Sequence, residues 1–394
     1  MANRRRKSLF YRISLLTCAL SIASCNGCKN TAASNAAAVP IAFGRAAYVT
    51  NNGSDTISIL DRDSDVVLAR SIDIDPSAHE APHHLAVDSR AKTLFVGLAF
   101  PPPPDDSKGP HSGHGNASDN GKLLKLDLTT LSPLASVDVD ENPGDVVLTH
   151  DGSRVLVTHF DMKRAMNAAA AGRPPNEFFA TLQVWDARTM KKIASRAVCV
   201  APHGVITTKD DRTAIVACYG SDEIAIVDLS SPALPTARFV LGATTGVLGA
   251  PKYGPYSAAF SPSEQTVLVA DLESQDARVF DVRSQKFDDA IWLGARAMIS
   301  AFTSETVALV PLQAPDGIAK IDTATGDVLA RSAFTKDQCE APHAVSVATD
   351  GRVFVVCEGD HQHPGAVVEL DPATLGIKKR WVVGIYPDGI AFGE

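Results

Sequence analysis

The chain has 394 residues, enough for two or three domains at roughly 150 residues each. Its 45% apolar and 21% charged residues are ordinary for a globular protein and exclude long disorder, collagen and multispan membrane architectures. The net charge is −8; without residues 1–24, which hold Arg4, Arg5, Arg6, Lys7 and Arg12 and no acid, 32 basic residues face 45 acidic ones, a net −13 that excludes a general nucleic-acid footprint.

The N-terminus reads as an export signal. The basic cluster Arg4 to Lys7 precedes an apolar stretch, Ile13 to Ser24, that is too short at 12 residues to span a bilayer. It ends in Ile22-Ala23-Ser24-Cys25, which resembles a bacterial lipobox and implies lipidation of Cys25. Asn26 after the Cys implies by the same resemblance the outer membrane, so the expected attachment to a membrane is through the lipid alone. Plain secretion with cleavage after the small residues is the alternative. Residues 25–43, rich in Ala, Asn and Ser, form a tether. Cys25-Asn26-Gly27-Cys28 is followed by Lys29 and not His, so no c-type haem is implied.

Residues 44–394 carry no long helical period but many short β-branched runs bounded by Gly, Pro, Asp and Asn. A strand ending in an apolar residue and Asp recurs seven times, at Asp61, Asp127, Asp186, Asp228, Asp281, Asp322 and Asp371. The intervals of 66, 59, 42, 53, 41 and 49 residues are those of four-stranded propeller blades with insertions. Each Asp is expected to cap the turn that follows it. A Pro-led strand stands upstream at Pro82, Pro143, Pro202, Pro255, Pro342 and Pro387, and the sixth unit departs from this at Arg296-Ala297. The chain begins in mid-unit at Tyr48 and stops after one isolated strand, Pro387 to Phe392. That phase predicts an all-β, seven-bladed β-propeller in which the C-terminal strand completes the N-terminal blade and leaves no open edge.

Tyr48-Val49-Thr50-Asn51-Asn52-Gly53-Ser54-Asp55-Thr56-Ile57-Ser58-Ile59-Leu60-Asp61 resembles the YVTN repeat of exported bacterial and archaeal propellers. The resemblance implies a seven-bladed fold over about residues 44–394 and little about activity, because that family ranges from surface antigens to proteins beside redox enzymes. The single Trp185-Asp186 dipeptide is a weaker match to WD40 repeats.

Loops entering the first strand and loops joining strands two and three share one face of a propeller. That face collects long insertions at Phe100 to Asn120, with His111 and His114, and at Phe160 to Phe178, whose Ala168 to Ala171 stretch reads as uncommitted sequence. Blade four has Cys199 before strand one and Cys218 ending strand two; blade seven repeats this with Cys339 and Cys357. Antiparallel neighbours bring each pair to one edge, so two disulfides are expected in an exported chain, with metal ligation as the rival role. Histidine follows Pro at the equivalent position in three blades, His83, His203 and His343, with His84 beside the first. An imidazole trio on a common centre would hold Zn²⁺ or Cu²⁺; the bland alternative is a polar turn at a channel mouth, and Gly144, Tyr256 and Asp388 at the same position make the rim mixed. Seven-bladed nitrous oxide reductases also place copper among inner-strand histidines, but this chain lacks their second copper domain. Asp145, His159, Asp271 and Glu358 are expected near the same rim. Acidic pairs such as Asp222-Glu223 read as solvated loop charges, with Ca²⁺ as an alternative.

No nucleophile elbow and no phosphate-binding glycine loop are present. The sequence therefore points first to a monomeric binding scaffold for a protein or small ligand in the cell envelope. The alternative is a metal-dependent enzyme or redox accessory, including a lactonase-like hydrolase, although sugar lactonases rely on carboxylates and Asn where this rim is rich in His.

Overall fold

The computed structural model describes residues 41–394 except 76, 103–112 and 248; the leader, Cys25, most of the tether and His111 lie outside the described residues. Among the described residues the strands form seven separate antiparallel sheets of four or five strands, the blades of a propeller. Blade one is built from Ala46–Asn51, Thr56–Asp61 and Val67–Ser71, with Pro387–Phe392 as its innermost strand. The closing pairs Tyr48↔Ala391 and Val49↔Ile390 join the two ends of the chain, as the out-of-phase termini predict. A core layer seals the seam from blade one to blade seven, where Ala47, Val49 and Leu60 pack on Phe354, Val356 and Trp381.

The sheets persist because each turn after the third strand is capped. All seven recurring Asp side chains accept backbone N–H groups one turn onward, as Asp127 does from Thr129 and Thr130 and Asp371 from Ala373 and Thr374. The sixth blade is the irregular one: its inner edge is broken into Arg296–Ala297 and Ala301–Phe302.

Two readings of the sequence are corrected here. The Ala-rich insertion of blade three is an α-helix, Met162–Ala170, whose N-cap Asp161 accepts from the N–H of Arg164. Its small Ala165 and Ala168 let the helix lie close on Phe160 and Phe178, so alanine is a packing choice here. Asp222 is buried and not solvated: it accepts from the N–H groups of Gly246, Lys252, Tyr253 and Gly254, and so pins the glycine-rich loop that leads into blade five. Four donors occupy both oxygens, which gives this carboxylate a structural task in place of calcium ligation.

The two predicted disulfides are formed, Cys199 to Cys218 and Cys339 to Cys357, with Cα atoms 5.8 and 5.1 Å apart. All four cysteines are buried. Cys199 lies in Lys192–Val200, the outermost strand of blade three, and not in blade four as expected, so its bridge joins two blades; the second bridge ties the short helix Lys336–Cys339 to the second strand of blade seven, and Pro202 faces Cys218 as Pro342 faces Cys357.

Candidate metal centre

The Pro-led strands share a backbone device. The residue before the Pro is left-handed in six blades, with φ of 48° at Ala81, 54° at Asn142, 47° at Ala201, 62° at Gly254, 49° at Ala341 and 52° at Tyr386. For the five that are not glycine this conformation costs about 1–2 kcal/mol apiece. The Pro gives up no ladder bond, since it opens its strand and has no N–H. One extra residue then follows in each of the six strands before pairing resumes, as between Pro82 and Leu85, Pro202 and Val205, and Pro342 and Ala344. Such bulges re-aim side chains, and here they bring His83, His84, His203, His343 and Asp388 together from four blades.

These side chains and their neighbours form one buried cluster. The His83 ring centroid lies 4.5 Å from that of His84, 4.7 Å from His114 and 5.7 Å from His203. His84 is 5.5 Å from His203 and 6.2 Å from His343 by the same measure. His114 comes from the blade-two insertion, and its Nε2 stands 2.8 Å from His83 Nε2. His203 stacks on Tyr256, with centroids 3.8 Å apart, and His361 stacks on Tyr386 at 3.5 Å.

The two nitrogens of the rings are used differently. His84 Nδ1 donates to Asp145 Oδ1 at 2.7 Å, His203 Nδ1 to the carbonyl of Tyr256 at 3.2 Å, and His343 Nδ1 to Glu358. In each of the three, Nε2 is buried without a hydrogen-bond partner among the described residues. Fixing Nδ1 as the donor leaves the Nε2 lone pair free, which is how proteins orient imidazoles toward a metal. A buried polar atom left unpaired otherwise costs about 1–3 kcal/mol.

Electrostatics act differently on the rings. Burial, reinforced by the neighbouring histidines, holds His83 and His203 well below the usual histidine pKa, so both are neutral at pH 7. For His84 burial also opposes the charge, but Asp145 and Asp388 outweigh it and raise the pKa. Tyr256 and Tyr386 are pushed well above the ordinary phenol value, by burial first and then by the carboxylates Asp388 and Glu358.

Two sets of three side chains bring one ligand atom each within 4.8 Å of one another: His83, His114 and His203, and His83, His84 and Asp388. The sets meet different cavities. One of about 880 Å³, lined by Phe100, Pro101 and Tyr386, reaches His83, His114 and His361. Another of about 700 Å³ is lined by the ends of the inner strands and reaches His84 and Asp145. Neighbouring histidines of the cluster thus line different cavities.

All four histidines expected from the Pro-His pattern meet here. Of the four rim residues, Asp145 and Glu358 join the cluster as partners of His84 and His343, and Glu358 also accepts from His361 at 2.8 Å. His159 and Asp271 do not. Each pairs with the Pro of its blade, Pro143 and Pro255, at the strand-two position that Cys218 and Cys357 hold in their own blades, one strand away from the axis. His159 instead bonds Thr181 at 2.9 Å, and Asp271 lies beside Asp276 and Arg278. Sequence reasoning placed Asp388 at the position of the three histidines but read it only as a residue that makes the rim mixed, and not as part of a site. It left out Thr50 and Thr158, whose hydroxyls donate to the carbonyls of His83 and His203 in the next blade. Thr50 is the threonine of the YVTN motif.

No protein-family model matches the chain, and no curated protein matches it by sequence. Solved structures match the fold. A periplasmic gluconolactonase of Pseudomonas aeruginosa aligns with a TM-score of 0.62 at 15% identity, over 88% of this chain and 98% of the other. A candidate 6-phosphogluconolactonase of Bacteroides fragilis gives 0.63 at 12%, over 89% and 98%. Hydrazine synthase of Kuenenia stuttgartiensis gives 0.58 at 17%, over 78% and 88%. Identities this low establish the seven-bladed architecture alone.

Proposed function

We propose that this chain is an exported metal-binding propeller whose axial centre holds a divalent transition metal, Zn²⁺ or Cu²⁺, on imidazole nitrogens of His83, His114 and His203. One observation carries the reading: His83, His114 and His203 bring one ligand atom each within 4.8 Å of one another, and His203 commits Nδ1 to the Tyr256 carbonyl while its buried Nε2 has no hydrogen-bond partner among the described residues. A polar rim or a plain recognition scaffold has no use for this arrangement, and three imidazole nitrogens suit Zn²⁺ and Cu²⁺ better than Ca²⁺. The basic leader and Ile22-Ala23-Ser24-Cys25 support export and lipid attachment through Cys25 to the outer membrane. The two disulfides fit an oxidising compartment.

The 880 Å³ cavity gives a small ligand a route to His83 and His114. Polarisation of a carbonyl by the metal is the chemistry such a site would supply. Hydrolysis of a sugar lactone is the first reaction to assay, since two proteins of similar fold bear lactonase names.

Elemental analysis of the purified, oxidised protein tests the reading, with a His83→Ala, His203→Ala, His343→Ala triple variant beside it. Stoichiometric Zn or Cu in the parent and its loss in a folded variant is the expected result. Metal-free parent protein that takes up neither ion at micromolar concentration returns the chain to the scaffold class.

A further inference from the structure

We propose that the centre is binuclear, with a second divalent cation bound against Asp388 and between His84 and His343. This rests on the metal-binding reading above and extends it to residues that the first ion does not use. Asp388 is fully buried and stands at the Pro-X position of the closing strand, so the bulge that presents His83, His203 and His343 in their blades presents a carboxylate in blade one.

The distances around Asp388 separate two kinds of contact. Asp388 Oδ1 lies 3.3 Å from His343 Nε2 and 3.8 Å from His84 Nε2. These separations are longer than the 2.7–3.2 Å of an ordinary N–H···O bond. Ligand bonds of about 2.0–2.1 Å in a tetrahedral site place neighbouring ligand atoms about 3.3–3.4 Å apart, and the observed values bracket that figure. Both imidazoles already have Nδ1 committed, to Asp145 and Glu358, so the nitrogen each turns toward Asp388 is the one able to ligate. The other oxygen, Oδ2, lies 3.2 Å from His83 Nδ1, while His83 Nε2 faces His114. Asp388 and His83 therefore tie the second position to the first.

The cavities agree with two positions. His83 and His84 are consecutive in one bulge, yet His83 lines the 880 Å³ cavity and His84 the 700 Å³ one. Each ion would have its own approach. A buried carboxylate among imidazoles also gains from a cation more than from any neutral partner.

The test counts metal in the full, oxidised chain. Metal-free protein is loaded with Co²⁺, dialysed, and assayed for cobalt per chain and for the visible d–d bands of tetrahedral cobalt. Two equivalents are expected in the parent. Asp388→Asn is expected to keep one equivalent, and His114→Ala to keep one with a different visible spectrum. His84→Gln serves in the same role as Asp388→Asn should that variant not fold, with circular dichroism as the check. One equivalent in the parent, unchanged by Asp388→Asn and by His84→Gln and abolished by His114→Ala, would overturn the second position while leaving the metal-binding reading intact. No cobalt in the parent would overturn both.

Discussion

Asp145 holds His84 with one carboxylate oxygen, at 2.7 Å from Nδ1, and accepts the backbone N–H of Val205 at 2.9 Å with the other. A single side chain of blade three thus joins the histidine of blade two to the inner strand of blade four. Asp145 is a positioning residue in this arrangement: it sets which ring nitrogen of His84 carries the proton. Val146 N–H also donates to Oδ1, and Asp145→Asn leaves one acceptor oxygen for these three donors and no longer favours Nδ1–H on His84. Co²⁺ affinity at the position His84 serves should fall about 10–100-fold, with melting temperature changed far less. Equal losses of stability and affinity would mean that Asp145 acts only on the fold.

Thr50 links the YVTN motif to the centre. Its hydroxyl donates to the His83 carbonyl and accepts the N–H of Gly389 at 3.0 Å, all within the buried channel wall. Thr50→Val preserves shape and removes both bonds, leaving a buried carbonyl and a buried N–H unsatisfied. A destabilisation of about 1–3 kcal/mol is expected, read by denaturant titration. The same variant should weaken Co²⁺ binding, because His83 and Asp388 flank the two groups it releases. Thr50→Ser, which keeps the hydroxyl, should restore the affinity.

The fold was legible because its signals are periodic. Seven apolar-Asp turns and six Pro-led strands mark the blades, and the out-of-phase ends fix how the ring closes. The centre was half legible for the same reason: Pro-His at equivalent positions gave His83, His203 and His343. Asp388 occupies that position too, but a carboxylate among histidines reads as variation until its 3.3 Å approach to His343 is known. His114 was harder. It lies in an insertion outside the repeat, so no phase relates it to His83, and only the folded loop brings the two nitrogens to 2.8 Å. The misplacement of His159 and Asp271 has the opposite cause. Both obey the repeat, at the second-strand position paired with the Pro, but that position, held by Cys218 and Cys357 in their own blades, is one strand out from the axis.

Asp271 gives the chain a pH signature independent of the metal. Burial first, and then its neighbour Asp276, raise its carboxyl well above the ordinary range, against the opposing effect of Arg278. In the unfolded chain it ionises near pH 3.9. Between that value and its folded pKa the native state holds a proton that the unfolded state has lost, so stability falls as pH rises. Asp271→Asn removes the proton from this balance. Its melting temperature should match the parent near pH 4 and exceed it at pH 7–8, by on the order of 2 °C or more. Parallel pH profiles for the two proteins would show that Asp271 is ionised in the folded state.

The disulfides should act on stability and on the centre together. Cys199–Cys218 and Cys339–Cys357 close loops of 19 and 18 residues, each contributing about 3 kcal/mol in the chain-entropy account. Their positions make the effect local as well. Each bridge spans the left-handed residue, Ala201 or Ala341, that turns the chain into the Pro-His bulge, and so opposes relaxation of a strained backbone at the point where the imidazole is presented. The Cys199→Ser, Cys218→Ser variant should therefore lose metal affinity at the position His203 serves, and the Cys339→Ser, Cys357→Ser variant at the one His343 serves. Cobalt titration of the two variants, each measured well below its own melting temperature, distinguishes this from a general loss of fold. Affinities equal to the parent in both variants would confine the bridges to stability alone.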